Sequence, residues 1–375
     1  MMSTDQASEF TPDWSVHPGA LLRRVLERRG IRQSELAERT GLTPKHINQV
    51  VSENIGISGD MAILLERVLG IDAQFWVRAD ADYQAYISSL KAKEQVSEYA
   101  PWAKSFDLAT LERHGIVERR DNMATRAEKI LKFFGVASPD AFEQTWLRPR
   151  VSFRRSKSFT VHEPNTALWL RLVELSAEAA SEVPPLRLSV LRKIAREIPG
   201  MTSLPSIADG FTAARAALAD AGVVLTFVRQ VPGTRVGGAT WWLSADRPVI
   251  GLTERNRKSD IFWFNLLHEI GHVLLHPKRV TFLDLESDRS LADPAEQEAD
   301  RFAEQSILSD AARAEIAKAA TREQLLILSA RLGVNVSIVA GHHGYMTNKW
   351  YVGGKLRGTL TEEDIDALEH ISGST

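Results

Sequence analysis

His268-Glu269-Ile270-Gly271-His272 sits inside a run from Ile261 to Leu275 that is apolar almost all round. A run of that length and composition reads as a buried helix. Two histidines four residues apart on a helix project from one face, so each can offer a ring nitrogen to a single metal ion. The glutamate between them stands where it can take a proton from a water at that ion. With 10 His in the chain, chance alone gives an H-E-x-x-H anywhere with a probability of roughly 2 %. A glutamate in a continuous apolar run is also costly unless something binds it. The run therefore reads as a metal-binding helix.

A catalytic zinc ion takes three protein ligands and keeps a fourth position for water. The chain has no cysteine, which excludes thiolate ligands, thiol nucleophiles and a disulfide framework and leaves histidine and carboxylate. The best third ligand lies in Ala295-Glu296-Gln297-Glu298-Ala299-Asp300-Arg301-Phe302-Ala303, read as a helix folding back on the first. Glu296 is expected to reach the ion. Asp300, four residues on, is expected to accept the outer N–H of a ligand histidine. Ala299 and Ala303 are small enough for close packing of the two helices. Glu269 would be the general base. His342, His343, Tyr345 and Tyr351 are candidate donors to a transition-state oxyanion, though each reads more simply as a loop residue. His276 continues the four-residue spacing but reads as a helix-end residue beside Pro277. An exposed strand edge beside the metal helix would hold a peptide substrate extended.

Charge and hydropathy restrict the remainder. The net charge of −2 gives no global attraction to nucleic acid or membrane. The first residues lack a signal-peptide pattern and no run is long enough to span a bilayer, so the expected location is cytoplasmic, with no membrane partner. At 375 residues the chain has room for two or three domains.

Helical patterns separated by glycine fill residues 17–80: Pro18 to Arg29, Gln33 to Arg39, Pro44 to Val51 with Thr43 as its cap, and Asp60 to Leu69 before Gly70. Two short helices joined by a few residues around Gly41 are a helix-turn-helix arrangement. Mainly helical spacing continues through 81–205. From Ile207 an alanine-rich helix leads to three strand patterns, Val223 to Val228, Ala239 to Leu243 and Pro248 to Leu252, ahead of the histidine helix. A polar loop then precedes a helix from Pro294 to about Leu308. The expected fold is mainly α with a small α+β domain. Its parts are an N-terminal tail (1–16), a five-helix helix-turn-helix domain (17–80), a helical linker region (81–205), a domain with a small β-sheet that holds the histidine helix (206–346) and a C-terminal tail (347–375) that holds a possible helix at Glu362 to Ile371.

From Ile207 to Met346 the chain resembles the ImmA/IrrE family of gluzincin-like metallopeptidases. Phe262-Trp263-Phe264-Asn265-Leu266-Leu267 through His276 and the later Glu296-x-x-Ala299-Asp300-x-Phe302-Ala303 carry the match. The resemblance implies Zn2+ held by His268, His272 and Glu296, a catalytic Glu269, and cleavage of a regulatory protein such as a repressor. Ser306-Ile307-Leu308-Ser309 and Gly341-His342-His343 depart from the family pattern on the substrate side, not at the metal positions. The first 80 residues resemble XRE-type helix-turn-helix domains, nearest to HigA-like antitoxins, through His17-Pro18-Gly19, Gln33-Ser34-Glu35-Leu36-Ala37, the Thr43 to Val51 helix and Leu69-Gly70 ahead of Phe75-Trp76. That resemblance implies a third helix in the major groove of double-stranded operator DNA, presenting Thr43, Lys45, His46, Asn48 and Gln49, with Gln33 on a phosphate. Between His17 and Arg78 nine Lys/Arg against seven Asp/Glu leave +2. One such module binds DNA weakly, so a homodimer over two half-sites is expected. Two other readings are a DNA-binding repressor or antitoxin whose peptidase fold senses or binds without cutting, and a toxin–antitoxin regulator with a toxin as partner.

Overall fold

Helix punctuation builds the N-terminal unit. Pro18 opens α1 (Pro18–Arg29), and the His17 ring accepts a hydrogen bond from the Gly19 backbone at 2.9 Å. Gly30 and Gly41 take left-handed φ values of 64° and 72° to end α1 and α2 (Gln33–Thr40). The Thr43 hydroxyl caps α3 (Pro44–Val51) by accepting from the His46 backbone at 3.2 Å. α4 (Gly59–Leu69) and α5 (Ala73–Glu98) follow. Leu22, Leu36, Ile47, Val50, Leu65 and Trp76 are fully buried between them. A Cβ on Gly19 would stand 1.8 Å from the carbonyl oxygen of Val50, so α1 and α3 touch backbone to backbone. α5 runs through residue 80, and the compact unit ends at Ala100.

This computed structural model describes residues 15–151, 162–180, 183–276, 282–285 and 294–373. Most of the expected tail 1–16 thus lies outside the described residues. Among the described residues, no helix is long and apolar enough to cross a membrane.

In the second unit, from Pro101, helix α6 (Met123–Phe134) joins an aromatic cluster in which Phe106, Phe134, Phe142 and Trp146 meet mostly edge to face at 4.7–5.5 Å. Three helices lead to the sheet: α7 (Glu163–Ala179), α8 (Leu188–Met201) and α9 (Ile207–Asp220). The strands are β1 (Val224–Phe227), β2 (Val236–Ser244), β3 (Arg247–Leu252) and β4 (Phe282–Leu285), in the order β1-β3-β2-β4. β1 and β3 are parallel; β2 is antiparallel to both β3 and β4. β4 falls where the sequence reads as a polar loop: a four-residue strand leaves too short an alternation to detect.

Both faces of the sheet are covered, which explains why its strands read as nearly unbroken apolar runs. On one face α7 packs closely. Its Trp169 indole donates to the Val228 carbonyl at 3.0 Å, and a Cβ on Gly251 would meet Val173 at 2.7 Å. On the other face Leu225, Phe227, Ile250 and Leu252 join one core with α10 (Ser259–Leu275), α11 (Pro294–Ile307), α12 (Asp310–Lys318), α13 (Arg322–Leu332) and α14 (Val336–Thr347). α7 and α8, read from sequence as part of a connecting region, are thus layers of this body. The same holds beyond residue 347. Leu360, Ile365 and Leu368 of the segment around α15 (Glu362–Ser372) are buried in that core. Arg229 bonds Glu362 and Glu369 at 2.7 and 3.1 Å and also pairs with Asp366. Helical spacing shows that a segment has an apolar face. It does not say which distant surface that face meets.

Candidate metal centre and helix-turn-helix surface

α10 carries His268, Glu269 and His272, which are 3 %, 0 % and 2 % exposed. The helix is deeply buried because α11 lies close against it. At Gly271 an added Cβ would come within 3.2 Å of both the Cα of Ala299 and the Phe302 ring. Ala299 and Ala303 are fully buried at this crossing. The small residues bring the first turn of α11 over the histidine face.

The side chains of His268, His272 and Glu296 consequently converge. His268 Nε2 lies 3.0 Å from His272 Nε2 and 3.1 Å from Glu296 Oε2. The third edge, from His272 Nε2 to Glu296 Oε2, is 3.4 Å. Ligands at about 2.0–2.1 Å from a tetrahedral zinc ion stand roughly 3.3 Å apart, so the triangle is the size the ion requires. Among the described residues this is the one group of His and acidic side chains close enough to hold a metal.

The outer nitrogens are engaged as well. His268 Nδ1 donates to Asp300 Oδ1 at 2.9 Å. His272 Nδ1 lies 2.9 Å from His276 Nδ1, and His276 Nε2 lies 3.3 Å from Glu298 Oε2. If His276 donates to that carboxylate, its Nδ1 is left to accept from His272. Both ligand rings then carry their proton on Nδ1 and turn the Nε2 lone pair to the centre of the triangle. Burial holds the His272 pKa down at about 4, against the raising effect of Glu296. Burial pushes the Glu296 carboxyl up, but hydrogen bonding to His268 and His272 outweighs it and keeps the group well below the usual carboxylate range. His272 is thus neutral and Glu296 ionised at neutral pH, the protonation states a bound cation needs.

Glu269 turns from α10 towards β2. The Thr240 hydroxyl donates to Glu269 Oε2 at 2.6 Å. Neither His342 nor His343, the histidines among the oxyanion candidates, belongs to the triangle. His343 is fully buried and bonds the Ala319 carbonyl at 2.9 Å. His342 is half-buried, with Nε2 lacking a partner among the described residues. Tyr345 and Tyr351 are largely exposed. His276 is the C-cap residue of α10, as its place beside Pro277 indicates, and its ring also meets His272; Thr240 was missed, for it carried no signal beyond its place near the start of a strand pattern.

On the N-terminal unit, Thr43, Lys45 and Asn48 are exposed along α3, with His46 and Gln49 half-buried beside them. Asn48 Nδ2 donates to Gln33 Oε1 at 3.4 Å, so the start of α2 and the outer face of α3 form one polar surface. The Thr43 hydroxyl is committed to its cap.

Comparison with known proteins agrees with this division. A helix-turn-helix family model matches residues 22–76, and an IrrE N-terminal-like domain model matches residues 220–341. Virulence-associated protein I of Dichelobacter nodosus is 37 % identical over 82 residues, which is 22 % of this chain and 71 % of that protein. The structure of Pseudomonas aeruginosa antitoxin HigA with the higBA promoter matches at 31 % identity over 23 % of this chain and 94 % of that one, with a TM-score of 0.22. The chain belongs to the XRE-type helix-turn-helix family and carries an IrrE N-terminal-like domain in the same polypeptide.

Proposed function

We propose that this chain is a cytoplasmic DNA-binding regulator whose IrrE-like domain is a zinc-dependent endopeptidase acting on a regulatory protein. The observation that carries the peptidase half is the 3.0–3.4 Å triangle of His268, His272 and Glu296 nitrogen and oxygen atoms with Glu269 on the same helix. Zinc held there would supply a Lewis acid that polarises a peptide carbonyl and acidifies a water. The protein's own groups supply the rest. Glu269 takes the proton of the attacking water and returns it to the leaving amine. Asp300 and His276 hold the two imidazoles in the required tautomer and orientation. Glu296, with a side chain 20 % exposed, leaves the centre reachable from one side.

The DNA half rests on the helix-turn-helix geometry. α3 would enter the major groove with Lys45, His46, Asn48 and Gln49 towards base edges, Thr43 capping its start and Gln33 on a phosphate. A homodimer would span two half-sites of an operator. The test uses full-length protein loaded with zinc and incubated with regulators encoded beside it. Wild type should make a discrete cut, and Glu269→Gln should bind zinc equally and cut nothing. Equal behaviour of the two in every assay would replace the endopeptidase with a non-cleaving sensor or antitoxin.

A further inference from the structure

We propose that Thr240, with Gly238, positions the carboxylate of Glu269 for its work at the metal centre. The inference rests on the reading of Glu269 as the proton acceptor of the proposed peptidase. A glutamate on a helix has three side-chain torsions and no intrinsic reason to hold one of its oxygens at a fixed point. Here the sheet removes that freedom.

Gly238 and Thr240 are two residues apart on β2 and therefore face the same way. Their cross-strand partners on β3 are Leu252 and Ile250, which belong to the core beneath α10. This face of β2 is the one turned to the metal helix. The Thr240 hydroxyl lies 2.6 Å from Glu269 Oε2 and 3.3 Å from the Glu269 backbone oxygen. A hydroxyl has one proton, and the shorter contact, to the carboxyl oxygen, takes it. Two properties hold the donor still. Threonine is β-branched and stiff at χ1, and Thr240 is paired on both sides, to Ile250 of β3 and Phe282 of β4.

The other oxygen is placed by an absence of atoms. A Cβ at Gly238 would stand 2.7 Å from Glu269 Oε1 and 2.9 Å from its Cγ. Only glycine leaves the carboxylate in its present seat. One strand thus grips Oε2 through Thr240 and clears space for Oε1 at Gly238. Thr240 and Glu269 are 1 % and 0 % exposed, so water does not substitute for the hydroxyl.

A merely structural threonine would tolerate valine, its isostere, with no effect at the metal. The experiment therefore uses full-length protein loaded with Co2+, whose visible absorption reports the coordination sphere, titrated with acetohydroxamate. That small chelator binds the metal and shares its acidic proton with the carboxylate alongside. Thr240→Val should weaken acetohydroxamate binding about tenfold, at the lower end of what loss of a hydrogen bond to a charged group costs. Thr240→Ser should restore it to within about twofold of wild type, and Gly238→Ala should weaken it with the hydroxyl still present. Cobalt stoichiometry and circular dichroism should be unchanged; should Thr240→Val not fold, Thr240→Ala takes its place. Wild-type acetohydroxamate affinity in the threonine variant, beside weakened binding in Glu269→Gln, would overturn the role of Thr240 alone. Failure to bind cobalt, or wild-type affinity in Glu269→Gln, would overturn the peptidase reading itself.

Discussion

Replacing Glu296 by glutamine keeps the shape of the side chain and removes its charge from the triangle it forms with His268 and His272. At neutral pH the wild-type set is one carboxylate and at least one neutral imidazole, held together in advance. Free zinc at one hundred times its Kd stabilises a folded site by about 2.7 kcal/mol. The C-terminal unit is roughly 275 residues long, and at about 2.1 cal/mol/K per residue its unfolding entropy is about 0.6 kcal/mol/K. The expected rise in Tm is therefore about 5 °C. Loss of the anionic ligand should weaken binding by about 100-fold, placing the same zinc concentration at Kd, where stabilisation is about 0.4 kcal/mol and the rise below about 1 °C. Scanning calorimetry at fixed free zinc, with each protein compared with its own metal-free form, separates these outcomes and cancels any intrinsic effect of the substitution. A 5 °C rise in Glu296→Gln equal to that of wild type would refute the assignment of Glu296 as a ligand.

Two further outcomes follow from packing and burial. Gly271→Val adds a branched side chain where a bare Cβ already meets Ala299 and Phe302 at 3.2 Å. It should cost about 1–3 kcal/mol in urea unfolding and weaken zinc binding as α10 and α11 separate; an inert valine would contradict the close crossing. Burial, with Arg313 nearby, holds His342 down at about 4, below its ordinary 6.5. The unfolded chain then takes up a proton that the folded chain refuses, so this stability is present above pH 6.5 and lost as pH falls towards 4. In metal-free protein His342→Gln should reduce that loss by about 1–2 kcal/mol, allowing for solvent screening, and an unchanged pH slope in urea midpoints would count against a half-buried imidazole kept neutral.

Much of the metal centre was legible because its information is local. Four-residue spacing places His268 and His272 on one face, and the same spacing relates Glu296 to Asp300. Small Ala299 and Ala303 signalled a close approach. The helix ends of the N-terminal unit were equally readable, since proline, glycine and hydroxyl caps act within a turn. What escaped is information carried between distant segments. Thr240 meets Glu269 across 29 residues, and nothing within β2 marks its hydroxyl as different from any other strand threonine. The strand pattern was read from Ala239, leaving Gly238 outside it, whereas β2 begins at Val236 and the glycine lies inside it. His276 is a helix end, as read, but its contact with Glu298 of another helix could not be seen from local spacing.

The last turn of α15 closes one margin of the sheet. Phe227 of β1 donates its backbone N–H to the Ser372 hydroxyl at 2.8 Å, while Arg215 bonds both the Leu225 carbonyl and that of Ile371, at 3.2 and 2.7 Å. These plugs occupy main-chain groups that an incoming polypeptide would use to lengthen the sheet beyond β1. The other outer strand of the sheet is β4, next to the strand that holds Glu269 through Thr240. Edge-to-edge pairing of two copies through β1 is thereby blocked by the chain's own last described helix.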